Sequence, residues 1–310
     1  MLYVIVSGGE GQLGLSIAER ALRYPNLSCL HVGREALDLN KNPDTLRAQL
    51  SRLLPSTFDS SSDKLVLINS AAYTAVDMAE TDRESAFALN QDAAGKLARL
   101  VAEIPQAGMI QVSTDFVFDG QNHQPYAEDD TTAPLSVYGQ SKLGGEDLVR
   151  ASLPLGRRLI VRTSWLYSPF RKNFVLSMLR LSADRESLGV VMDQVGSPTY
   201  APHLADALLQ IALSYEQESS FREPLLHISD SGLASWYDLA AYALRLYYPD
   251  RPYDIRPIGT AEYPTTAVRP AYSVLSTRLL RETYGICPPH WTEGVHKLIY
   301  LKRASLQKKD

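Results

Sequence analysis

The sequence predicts a doubly wound α/β fold, a parallel sheet covered by helices on both faces. Three observations carry that expectation. Short apolar runs rich in β-branched residues recur through the first half of the chain, helix-length periodic stretches lie between them, and a cluster of glycines follows the first run at once. A parallel strand buried on both faces reads as a continuous apolar run, and each crossover to a parallel neighbour needs a helix-sized connection.

The run Leu2-Tyr-Val-Ile-Val-Ser7 is the first strand, Gly8-Gly-Glu-Gly-Gln-Leu-Gly14 a turn, and the apolar period from Leu15 to Leu22 a helix. Further strands are expected at Ser28–Val32, Leu65–Asn69, Met109–Ser113 and Leu159–Thr163, with helices over Glu84–Ile104 and Ser136–Ser152. Ser56–Asp63 and Glu216–Glu223 are polar surface loops. After Tyr167 the alternation weakens and Tyr, Pro and Arg become frequent, as in Tyr247, Tyr248, Pro249, Arg251, Pro252 and Tyr253. Residues 1–167 are therefore expected to form a Rossmann-like unit, and residues 168–310 a smaller, discontinuous mixed α/β unit that binds substrate. Leu225–Ser229 reads as a strand that could join either unit, and the segment near 200–232 is expected to return to the first.

Composition excludes several classes. A chain of 310 residues with 45% hydrophobic and 21% charged residues is an ordinary soluble globular protein, long enough for a large core and an appended smaller one. The net charge of −4 gives no electrostatic footprint for nucleic acid. Cys29 and Cys287 lie far apart in sequence, which suits a reducing compartment better than a disulfide framework or a zinc site. No apolar run approaches the ~18 residues of a membrane span, and a strand starting at residue 2 leaves no room for a signal segment, so a cytoplasmic location without membrane contact is expected. The basic tail Lys302–Asp310 reads as a solvated terminus.

The glycine turn carries the first chemistry. Its glycines satisfy both Gly9-x-Gly11-x-x-Gly14 and Gly8-x-x-Gly11-x-x-Gly14. Without a Cβ the backbone turns sharply and approaches a pyrophosphate closely, while the following helix offers unpaired N–H groups and a partial positive charge. Directly after the first strand of a βαβ unit, the pattern predicts a dinucleotide site formed by Gly8, Gly11, Gln12, Leu13 and Gly14. An acidic residue for the ribose is expected about twenty residues on. The segment His31-Val-Gly-Arg34-Glu35 instead offers Arg34 first, placed to meet a 2′-phosphate or stack on adenine, or simply to lie on the surface. Arg34 tilts the expectation toward NADPH and leaves NADH open. Asp38 and Leu39 are placed to touch the adenine.

Tyr138 and Lys142 add a second chemistry. Spaced i, i+4 in a helix they share one face, where an ammonium beside a phenol is expected to lower the phenol's pKa and make it a usable proton donor or acceptor. Alone, the spacing is common on solvated helix faces. It gains weight from Thr114, a hydroxyl at the end of the run Met109–Ser113, where ligands sit in open α/β sheets. Glycine turn, strand-end hydroxyl and Tyr-x-x-x-Lys helix together resemble the extended short-chain dehydrogenase/reductase family.

Within it, Asn69–Glu80, Ser113–Gly120, Arg162–Tyr167 and Asp193–Thr199 look like the signature segments of the dTDP-4-dehydrorhamnose reductases. The similarity continues through Ser235–Asp238, Val268–Pro270 and His290–Gly294. The resemblance implies NAD(P)H-dependent reduction of the 4-keto group of dTDP-4-dehydro-β-L-rhamnose, with Tyr138 as general acid and Thr114 bonded to the same oxygen. Lys142 is implied to hold the Tyr pKa down and bind the nicotinamide ribose. It further implies that Ala71 and Ala72 line the cofactor crevice, that Thr74, Val76 and Trp165 meet the sugar, and that Asn173, Gln194 and Arg269 meet the nucleotide-sugar, the arginine facing its diphosphate. Phe116 stands where relatives often carry Tyr, so a hydrogen bond from that phenol is missing. Some relatives hold magnesium at a dimer contact; the sequence shows no carboxylate cluster that predicts the ion here, and a homodimer is compatible with the resemblance. Two other readings are a reductase of a different dTDP-4-keto-6-deoxyhexose and a non-catalytic NADP-binding subunit resembling the methionine adenosyltransferase β subunit.

Overall fold

A computed structural model describes residues 1–25, 27–250 and 253–307. Its centre is a sheet of six parallel strands: β1 (Leu2–Ser7), β2 (Ser28–Val32), β3 (Lys64–Asn69), β4 (Ala107–Thr114), β5 (Arg158–Thr163) and β6 (Leu225–His227), in the order β6-β5-β4-β3-β1-β2. The order reverses at β1, where the chain steps to β2 on one side and β3 on the other. That reversal is where an open α/β sheet forms a crevice at its carboxyl edge.

Strand side chains alternate between two apolar cores. Leu2, Val4 and Val6 of β1 pack with α1 (Gln12–Ala21) and α6 (Ala201–Glu218), whereas Ile5 packs with α2 (Pro43–Leu53) and α3 (Ala93–Ala102). Burial on both faces is why the inner strands lack polar alternation, whereas the edge strand β2 is largely exposed. Between the cores a short polar line crosses the sheet: Ser7 donates to Asn69 at 2.6 Å and Asn69 to Gln111 at 2.8 Å.

The helical stretch expected over Glu84–Ile104 is interrupted. Arg83–Phe87 and α3 are joined through a π turn at Ala88–Asp92. The turn brings Asn90 inward, where its Oδ1 accepts Tyr73 N–H at 2.8 Å and its Nδ2 donates to Tyr73 O and to Ser141 Oγ. One extra residue thus ties the loop after β3 to the next helix, a use typical of π bulges near functional sites.

That helix, α4 (Val137–Ser152), is well started. Ser136 Oγ accepts Gly139 N–H at 3.1 Å, and Glu80 Oε1 accepts Val137 N–H at 2.8 Å, so two first-turn amides are satisfied and a carboxylate sits at the positive helix end. Its other end is held by Glu146, a fully buried carboxylate. Oε1 accepts Ser113 Oγ at 2.6 Å and Arg162 Nε at 3.0 Å; Oε2 accepts Arg162 Nη2 at 2.8 Å and Arg150 Nη2 at 2.7 Å. Burial pushes this carboxyl up, but the Arg162 guanidinium, Ser113 and Arg150 outweigh it and hold it below its usual range.

The remaining chain builds a smaller region from α5 (Phe174–Asp184), α7 (Trp236–Tyr247) and α8 (Trp291–Gln307) around a parallel strand pair, Ser187–Val191 with Asp254–Ile258. Tyr167, Leu179, Leu239 and Leu298 are among its buried residues. Of the segments singled out from sequence, Arg251 and Pro252 lie outside the described residues, as do Lys308–Asp310. The basic tail up to Gln307 continues α8 rather than fraying. Among the described residues no helix is long and apolar enough to cross a membrane.

Removing Glu146 leaves Arg162, itself 2% exposed, as an uncompensated buried charge. Glu146→Ala is expected to cost about 3–5 kcal/mol of unfolding free energy, and the isosteric Glu146→Gln less. Denaturant titration checks this; a loss within 0.5 kcal/mol for both variants, the ~0.5 kcal/mol scale of surface substitutions, would show that the contact is dispensable.

Candidate active site

The carboxyl edge of the sheet opens into a cavity of about 1000 Å³. The segments that follow β1, β2, β3, β4 and β5 all reach it, α4 forms its base with Tyr138 and Lys142, and the smaller region closes it with Trp165, Arg171, Phe174, Trp236 and Arg269.

At one end lies the glycine turn, with Gly8, Gly11, Gln12 and Leu13 on the wall. Gly8 has φ +71°, and a Cβ there would come within 2.6 Å of Ala71 N, so the turn abuts the end of β3 as only glycine allows. Gly11 caps α1 without any side-chain acceptor, which leaves the first amides of the helix available. Gly14 is off the wall: it lies inside the turn, where a Cβ would meet Gly8 O at 2.5 Å. Its role is to let helix and strand pack. Ala71, Ala72, Thr74 and Val76 continue the wall, as do Arg34, Asp38 and Leu39 after β2. Arg34 is exposed, with Nε 3.4 Å from Asp38 Oδ1.

Tyr138, Lys142 and Thr114 meet at the base. Lys142 is 4% exposed and donates from Nζ to Val112 O at 2.6 Å. Burial lowers its ammonium to about 8, against the pull of Glu146 one turn on. The Tyr138 phenol is pushed up to about 12, chiefly by removal from water; a hydrogen bond with Thr114 opposes the shift and the nearby Asp115 charge adds to it. The depression of this phenol expected from sequence is thus reversed. Desolvation decides the direction, and the ammonium is anchored on a backbone carbonyl instead. The consequence suits a donor: at neutral pH Tyr138 holds its proton.

Thr114 Oγ1 donates to Asp115 Oδ1 at 3.0 Å and accepts Phe116 N–H at 3.2 Å. Asp115 is buried, and burial raises its carboxyl to about 6 against hydrogen bonds from Ser273 and Thr114. Phe116 packs edge-on against Tyr138, ring centroids 5.7 Å apart.

Trp165 has a left-handed backbone, φ +47°, and its indole stacks on Trp236 at 3.5 Å between centroids and 2° between planes. The Gly196 backbone lies against the same ring, where a Cβ would approach within 2.5 Å. Both Trp165 and Trp236 reach the cavity, and the apolar wall expected from Trp165 alone is a packed pair.

The three residues assigned to the nucleotide-sugar divide, two lying off the cavity and one on it. Asn173 is 8% exposed and caps α5, its Oδ1 accepting Leu176 N–H at 3.1 Å while Nδ2 donates to Ser168 O at 2.8 Å. Gln194 is 5% exposed, donates to Thr260 Oγ1 and accepts Trp236 Nε1–H at 3.2 Å, so it acts on the cavity through the indole. Neither faces the cavity. Arg269 does, but its guanidinium is engaged by Asp77, at 3.1 Å to Oδ1 and 2.6 Å to Oδ2. Arg171, Lys172, Phe174 and Trp236 were missed from sequence. The adjacent cations Arg171 and Lys172 were the available signal; the indole pairing had none, because it joins residues 71 positions apart.

The family pattern described as "RmlD substrate binding domain" matches residues 2–303. A dTDP-4-dehydrorhamnose reductase of Sinorhizobium fredii is 40% identical over 96% of this chain and 97% of its own length. The chain belongs to the dTDP-4-dehydrorhamnose reductase family. It is an oxidoreductase of that type. Solved structures agree: the reductase of Clostridium acetobutylicum superposes with a TM-score of 0.85 at 33% identity, covering 97% of this chain and 99% of that one. The Bacillus anthracis reductase, solved in complex with NADP, gives a TM-score of 0.84 at 31% identity, covering 96% and 98%. Among the described residues no three His, Cys, Asp or Glu side chains are grouped to hold a metal ion.

Tyr138 stays protonated far above neutrality, whereas Lys142 loses its charge near 8. For carbonyl reduction kcat/KM is therefore expected to be level below about pH 8 and to fall above it. A pH–rate profile checks this; a plateau extending to pH 10, near the ordinary lysine pKa of ~10.4, would remove Lys142 from the titration.

Proposed function

We propose that this chain reduces the 4-keto group of dTDP-4-dehydro-β-L-rhamnose to dTDP-L-rhamnose with NADPH. The observation that carries the reading is the convergence of Tyr138, Lys142 and Thr114 on a cavity whose far end is an uncapped, glycine-lined helix start. The residues present fit a dinucleotide. Gly8 and Gly11 admit a diphosphate close to the backbone, the first amides of α1 meet its charge, and the small Ala71 and Ala72 leave room beside β3. A bound nicotinamide supplies the hydride.

The chain supplies the rest. Charge developing on the ketone oxygen needs a donor in place, and Tyr138 gives its proton to that oxygen. Lys142 places a positive charge on the side of α4 facing the nascent phenolate and binds ribose hydroxyls. Thr114 has a single hydroxyl proton, so hydrogen-bonding the ketone oxygen requires rotating it away from Asp115. Trp165 and Trp236 give the hexose an apolar wall, and Thr74 and Val76 reach toward the sugar. Arg269, oriented by Asp77, meets the nucleotide-sugar diphosphate with its remaining N–H groups. Arg34 meets the 2′-phosphate, which makes NADPH the preferred cofactor over NADH.

The purified protein is expected to oxidise NADPH when given dTDP-4-dehydro-L-rhamnose, with dTDP-L-rhamnose as product. Tyr138→Phe should lose ~10²-fold or more in kcat while keeping NADPH affinity, as for loss of a general acid. Equal rates in the two proteins would sink the proton-donor assignment, and faster turnover of another dTDP-4-keto-6-deoxyhexose would reassign the sugar.

A further inference from the structure

We infer that Arg171, carried on the loop Ser168–Asn173 of the smaller region, is a cofactor-binding residue that holds the diphosphate of the dinucleotide against the glycine turn. The inference rests on the cofactor reading above and assigns a residue that neither the glycine pattern nor the family resemblance supplies.

The loop is docked on the turn itself. Arg171 Nε donates to Glu10 O at 2.8 Å, and Ser168 Oγ donates to Gln12 Oε1 at 2.9 Å. Asn173 closes the loop through Ser168 O, which explains its burial away from the cavity. Arg171 is held at φ +54°, a left-handed conformation that L residues other than Asn, Asp and His seldom adopt. Strain of this kind collects at ligand clamps.

The guanidinium is left available. Only Nε is engaged, and among the described residues no carboxylate lies within ion-pair distance of either terminal amine, although the residue lines the cavity. Glu10 is no counterion for it: its carboxyl end packs over Gly33, within 2.7 Å of where a Cβ would stand. A diphosphate arriving here meets the partial charge of one helix start and a nearby carboxylate. An arginine whose Nε is fixed on the turn presents its two terminal amines as a fork for phosphate oxygens, the geometry in which guanidinium exceeds ammonium. Lys172 lines the same cavity as a second, less directed cation.

Equilibrium titrations of NADPH, NADH and dTDP, followed by calorimetry at two salt concentrations, test the assignment on wild type, Arg171→Asn and Arg171→Lys. Asn tolerates the left-handed backbone, so the loop keeps its course, and the melting temperature checks that it does. Arg171→Asn is expected to weaken NADPH and NADH alike by about tenfold or more, to flatten the salt dependence of both, and to leave dTDP unchanged. Arg171→Lys should recover part of the loss.

Unchanged dinucleotide affinity overturns the inference. Loss confined to NADPH moves Arg171 to the 2′-phosphate, and loss confined to dTDP moves it to the nucleotide-sugar; either result overturns the diphosphate assignment. Equal loss in both variants with an unaltered salt slope reduces Arg171 to a staple of the loop. A wild type that binds neither dinucleotide overturns the cofactor reading and this inference with it.

Discussion

The buried carboxylate of Glu146 is the contact on which the geometry of the candidate site depends. It joins α4 to β4 through Ser113 and to β5 through Arg162, and so fixes the helix carrying Tyr138 and Lys142 against the strand end carrying Thr114. Its hydrogen bonds come from two guanidinium groups and a hydroxyl, which is what allows a charge to sit inside the core. It also bears on Lys142 directly, its negative charge working against desolvation of that ammonium. The same carboxylate therefore serves both rigidity and proton chemistry.

Around this frame the smaller region completes the site by a few specific attachments. Asp77 accepts Ala267 N–H and both terminal amines of Arg269, Ser168 and Arg171 reach the glycine turn, and Asp115 draws on Ser273. Each attachment joins a residue of the smaller region to a segment at the carboxyl edge of the sheet. The cavity is consequently a property of both regions. Groups held this way keep their spacing without relying on a single long loop.

Much of this was legible in the sequence because it is local. Apolar runs marked β1 to β5 almost to the residue, since parallel strands in the middle of such a sheet are built mostly of apolar side chains. The glycine turn, Thr114 and the Tyr138–Lys142 spacing were legible because each is a short motif at a strand or helix end. What escaped is non-local. Asn173 and Gln194 look like ligand contacts in sequence but satisfy backbone and indole groups, and nothing in the chain near Trp165 announces Trp236. The π turn at Ala88–Asp92 has an unbroken helical pattern. The sign of the Tyr138 shift escaped for a different reason: spacing places an ammonium nearby, but burial, which decides the balance, is a property of the folded state.

The influence of Glu146 on Lys142, and through it on the proposed proton donor Tyr138, has a direct measurement. It is the alkaline limb of kcat/KM in wild type and in Glu146→Gln, recorded at a temperature where both are folded. Removing the negative charge removes what holds the Lys142 ammonium up, so the limb is predicted to move to lower pH than in wild type. A limb at the same pH in both proteins would contradict the account.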